Sequence, residues 1–104
     1  MRDGAEPREI TLARRARKHG LRGEGRQAML ALKEACFVAD RDARLWALYA
    51  VSCWRLRRTE DAARAFRQAI YLRGRAGDDR RVPVLKSLLA ALEDGRPHDD
   101  AAAA

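Results

Sequence analysis

Slid against itself by 34 residues, this 104-residue chain matches without a gap. Ala13 falls on Ala47, Ala16 on Ala50, Ala28 on Ala62, Ala31 on Ala65 and Ala35 on Ala69. Size classes follow the identities: Leu12 falls on Trp46, Leu32 on Phe66, Cys36 on Ile70, Phe37 on Tyr71 and Val38 on Leu72. Chance alanine matches are common in an alanine-rich chain, but matched size classes across two helices and a turn are not. One copy is too small to bury its own apolar stripes. Stacking a second copy on the first completes the core, so the repeat confines the chain to an array of similar units.

The units are helical. Gly20, Gly23 and Gly25 form one break, Asp40 to Asp42 a second, Arg57 to Thr59 a third and Gly74 to Asp79 a fourth. Between them apolar residues recur every three or four positions, the period of an amphipathic helix. The spacing predicts helices over roughly 8–19, 25–39, 42–56, 60–73 and 83–93. Thr59 reads as the N-cap of the fourth, with Glu60 and Asp61 at the positive end of its dipole. Pro83 fits the first turn of the fifth, which Gly95 and Pro97 end. Aromatics are 6% of a chain that is 47% apolar, and alanine and leucine carry much of the rest, which favours helix over sheet.

With these residues in place, the chain resembles the tetratricopeptide repeat (TPR) family, in the manner of its small bacterial-type members. Trp46, Tyr49, Ala50 and Cys53 match the spacing of that family's first helix, and Ala62, Phe66 and Ala69 that of its second. Ala50 and Ala62 stand where two helices would cross closely, and larger side chains would part them. The first copy agrees at Leu12, Ala16, Ala28, Leu32 and Ala35, departs at Arg15 and His19, and neither copy has the closing proline. The resemblance covers about residues 9–93 and implies an all-α fold. That fold is a right-handed α-solenoid of two TPR-like hairpins, about 9–42 and 43–76, with a capping helix at 83–93. One helical domain would span 8–93, between a flexible N-terminus at 1–7 and a disordered tail at 94–104. Helical repeats of other hairpin types are the structural alternative.

A TPR-like fold implies binding, not catalysis. Transferred residue by residue, its concave groove takes Arg14, Arg17 and Leu21 from the first copy, and Arg44, Leu48, Val51, Trp54 and Arg55 from the second. An apolar floor with cationic edges suits an acidic, partly apolar peptide or helix. Ala47 and Val51 stand where the chaperone-binding subset of the family needs polar groups, so that ligand is not implied. Trp46 takes the core position of the pattern, which turns Trp54 toward the groove, where a tryptophan would be a strong anchor. The other reading packs Trp54 against the neighbouring helix or under the Arg58 stem.

Charge allows two further readings. The chain holds 22 Lys and Arg against 15 Asp and Glu, a net charge of +7. Residues 7–26 hold seven basic residues against two acidic, and residues 43–76 hold eight against two. Basic segments 8–26 and 55–75 could meet nucleic acid, although few aromatics are present to stack on bases and no nucleic-acid motif is found. A solvated, arginine-rich surface is the simpler account of the outer arginines. Self-association is the third reading, because two repeats and a cap make a small core with apolar surface left over. His19 and His98 lie far apart, and Cys36 and Cys53 fall at core positions as small hydrophobes. There is no CxxC, HExxH, phosphate loop or nucleophile elbow, so no enzyme activity, metal site or cofactor is predicted. No apolar run reaches membrane-spanning length, and Met1 to Pro7 carry no apolar signal core. These features predict a reduced, cytoplasmic protein.

Overall fold

The computed structural model describes residues 5–99, and among them the chain is all-helical. The helices are α1 (Arg8–Leu21), α2 (Gly25–Val38), α3 (Ala43–Arg55), α4 (Thr59–Arg75) and α5 (Arg81–Glu93). Their substantial contacts run between sequence neighbours: α1 with α2, α2 with α3, α3 with α4, and α4 with α5. The shortest dimension, 21 Å, is about two helix diameters, so the helices form two layers. None of them is long and apolar enough to cross a membrane.

Local chemistry explains where most helices stop. The amide of Glu24 donates to the carbonyl of His19 at 2.8 Å, closing α1 through Gly23 at φ +75°. The same closure ends α4 through Gly77 and α5 through Gly95, both at positive φ. Glycine is favoured there because it has no Cβ to clash in the left-handed region. At the end of α3 the Arg58 amide donates to the Cys53 carbonyl at 2.9 Å, but the left-handed residue is Arg57, at φ +62°. Arg57 is the 34-residue counterpart of Gly23.

Helix starts are less uniform. Asp42 caps α3 by accepting from the amides of Arg44 and Leu45 at 3.0 and 3.3 Å. Thr59 is not the N-cap of α4. It is the first helical residue, because the left-handed turn at Arg57 runs directly into the helix and leaves Arg58 in the cap position with no side-chain cap bond. Helix α5 begins two residues before the expected start. Asp78 accepts from the Arg81 amide at 3.2 Å and pairs with the guanidiniums of Arg73 and Arg81. Donation from Arg81 holds the Asp78 carboxyl below its ordinary range.

The core is built from small residues at the crossings and large ones between them. Ala35, Ala50, Ala62 and Ala69 are wholly buried, as are Cys53 and Phe66. Leu12 and Ala16 from α1 join Met29, Leu32 and Cys36 from α2, and Leu85 and Leu92 extend the same cluster into α5. The two helix pairs meet closely near Gly25, where a Cβ would stand 3.3 Å from the Cδ2 of Leu56. Close packing of this kind makes single-methylene changes felt.

Candidate functional site

Two exposed stripes carry most of the residues expected to bind a partner. On α1, Arg14 and Arg17 are exposed and Leu21 is 78% exposed. They are spaced at three and four residues, so they share one helix face. On α3, Arg44, Leu48 and Arg55 are exposed and Val51 is half-buried, again on one face. The stripes are in register, since Arg14 corresponds to Leu48, Arg17 to Val51 and Leu21 to Arg55 at the 34-residue offset. Arg14 pairs with Glu6, whose carboxyl is drawn below its ordinary range chiefly by donation from Thr11. Among the described residues Arg17, Arg44 and Arg55 form no ion pair.

Trp54 does not belong to the α3 stripe. It is 4% exposed and packs edge-to-face on Phe66, with ring centroids 6.0 Å apart. Its indole N–H donates to the Arg96 carbonyl at 2.9 Å, and its ring meets that of His98 at 5.4 Å. Burial of so large an aromatic, with its one polar atom satisfied, is what core packing favours. The tail expected to be disordered from residue 94 therefore folds over Trp54 through Arg96 and His98, while residues 100–104 lie outside the described residues. Trp46 takes the complementary place. It is half-buried, donates to the Asp40 carbonyl at 2.8 Å, and lines a furrow beside Phe37 and Tyr49. The groove reading of Trp54 is thus overturned and its packing against the neighbouring helix is the reading found, while Trp46 packs only partly on the core. No signal within α3 distinguishes them, because Trp54 packs on Phe66 of α4 and takes its hydrogen-bond partner 42 residues further on.

The folded tail borders a half-open cavity of about 400 Å³. Trp54, Leu92 and His98 line it with the arginines Arg55, Arg57 and Arg96. Of the eight residues expected at the groove, it takes only Trp54 and Arg55. Several outer arginines are already paired: Arg58 and Arg64 share Asp61, and Arg67 meets Glu93. Donation from Arg58 lowers the Asp61 carboxyl below its ordinary range.

The thiols offer little chemistry. Cys36 and Cys53 are buried and unbridged. Burial pushes the Cys36 thiol up to about 12 and raises that of Cys53, so neither is a ready thiolate near neutral pH. Burial also raises the Tyr49 hydroxyl. Among the described residues no three His, Cys, Asp or Glu side chains gather as a metal site would need. No family model, curated protein or solved structure matches the chain.

Proposed function

We propose that this protein is a non-enzymatic adaptor whose α1 and α3 stripes hold an acidic, partly apolar segment of another protein. In this reading the two helix pairs are TPR-like hairpins of a right-handed solenoid, with α5 as its cap. The observation that supports it best is the pairing of exposed leucines with arginines that form no ion pair among the described residues. Leu21 is 78% exposed beside Arg17, and Leu48 is 38% exposed beside Arg44. An exposed leucine gains from being covered, and a guanidinium gains from a carboxylate, so one segment carrying both groups satisfies both needs. Helices present the stripes already ordered, which lowers the entropic cost of binding on this side.

Affinity capture from the source cells tests the reading. The wild type and an Arg44→Glu, Leu48→Ser variant are used as baits, with helicity checked by circular dichroism. The variant is expected to lose the main captured protein while keeping its helicity. Equal capture by both baits overturns the assignment to α3. A gel shift on random DNA and RNA at two salt concentrations separates the nucleic-acid reading, for which phosphate contacts predict a steep salt dependence.

Self-assembly is a second reading, favoured by one observation. Phe37 is 90% exposed and its repeat counterpart Tyr71 is 57% exposed, both on the second helix of a pair. Burying them between copies would remove apolar surface from water. Sedimentation at several concentrations decides this, with Phe37→Ser expected to shift any oligomer toward monomer.

A further inference from the structure

We propose that the cavity under residues 95–99 is a binding site for a small organic anion, a phosphate or carboxylate carried on an apolar body. The site shares Arg55 with the α3 stripe, otherwise stands apart from both stripes, and does not depend on the adaptor reading. Its volume, about 400 Å³, lies in the range of small-ligand pockets. Trp54, Leu92 and His98 give it an apolar and aromatic lining, and Arg55, Arg57 and Arg96 give it charge.

Several independent features point to an anion. Among the described residues none of Arg55, Arg57 and Arg96 forms an ion pair. Three arginines line one cavity, and an oxyanion held there would accept charge-assisted hydrogen bonds from guanidiniums that have no carboxylate among the described residues. Asp99 also lines the cavity, but its side chain is wholly exposed and its carboxylate stands 3.7 Å from His98 Nδ1, beyond hydrogen-bond length. That Nδ1 is buried with no hydrogen-bond partner among the described residues, a costly state. Helix α4 begins beside the cavity at Thr59 with no side-chain cap, and Glu60 and Asp61 in its first turn offset the positive end of its dipole.

The backbone adds a further argument. Arg57 is the one non-glycine residue with positive φ among those described. Its repeat counterpart is Gly23, and the ends of α4 and α5 use Gly77 and Gly95 for the same turn. Glycine would form this turn without strain, yet here an arginine lines the cavity instead. Strain of this kind collects where a side chain is needed for binding.

Full-length protein with Trp46→Phe leaves Trp54 as the sole tryptophan and tests the proposal by fluorescence. The probes are phenyl phosphate, benzoate and uncharged benzyl alcohol, titrated at constant ionic strength. One or both anions are expected to give a saturable change, and their relative affinity identifies the preferred oxyanion. The His98 imidazole resonances should move over the same concentrations. Arg57→Gly is expected to weaken binding about tenfold or more, the loss of one charge-assisted contact, while raising the thermal midpoint. That opposite movement separates lost binding from lost folding. Arg15→Gln, on exposed α1, should leave binding unchanged. The proposal is overturned if neither anion gives saturation up to about 10 mM, a Kd weaker than a useful site would show. It is equally overturned if benzyl alcohol binds as well as the anions, or if Arg15→Gln weakens binding as much as Arg57→Gly.

Discussion

The first helix pair, α1 and α2, and the second, α3 and α4, carry the same 34-residue pattern but bury it to different depths. In α1 the buried residues are Leu12 and Ala16. In α3 they are Ala43, Leu45, Tyr49, Ala50, Ser52, Cys53 and Trp54. Helix α1 has α2 as its principal neighbour, whereas α3 lies between α2 and α4 and is also covered by Arg96 and His98. The aromatic positions follow this difference: Tyr49 corresponds to Arg15, Phe66 to Leu32 and Trp54 to Gly20. A repeat therefore sets which face of a helix is apolar, and the number of neighbours sets how much of the helix is buried.

Substitutions at corresponding positions can break or sharpen that contrast. The largest effect is expected at Phe66, which is wholly buried against Trp54. Phe66→Ala should cost about 3–5 kcal/mol in urea unfolding followed by circular dichroism, a large share of a small domain's stability. Leu32→Ala, its counterpart, should cost about 2–4 kcal/mol. A larger cost at Leu32 would reverse the ranking of the two pairs. Trp54→Phe keeps most of the apolar volume but strands the Arg96 carbonyl, and should cost about 1–3 kcal/mol. Hydrogen exchange should then quicken at residues 95–99 and stay unchanged in α1.

The turn residues come next. Arg57→Gly should raise stability by about 1 kcal/mol, and Gly23→Ala should lower it by a similar amount, because each changes the strain of one left-handed position. Opposite signs at equivalent positions would show that the two turns share one geometry. The smallest effect is expected at Asp78, which is depressed in the folded state by Arg81 and exists only after the second pair. A depressed carboxyl stabilises above its unfolded value of about 3.9 and loses that contribution as pH falls through its folded value. Asp78→Asn should therefore lower the thermal midpoint at neutral pH, and the difference from wild type should vanish once the wild-type carboxyl is protonated.

Helix positions were legible in the sequence because glycine, proline and apolar spacing act locally. The burial of Cys36, Cys53, Ala50 and Ala62 was legible for the same reason. The cap of α4 was misread because the left-handed turn at Arg57 cannot be recognised from an arginine. Trp54 was misplaced because its cover arrives from Arg96 and His98, and no periodicity within α3 reports on residues so distant in sequence. The cavity was invisible for that reason too: three arginines from two distant segments meet only once the tail is folded.

The succession of neighbour contacts along α1 to α5 also bears on how the chain reaches this state. When almost every helix docks on the one made just before it, little loop entropy is spent before contacts form. Such topologies fold in about microseconds to milliseconds. Helix α1, at one end with a thin buried stripe, should be the first to detach and the last to return. The closing of residues 95–99 over Trp54 is the exception, a long-range step that must wait until α3, α4 and α5 are in place.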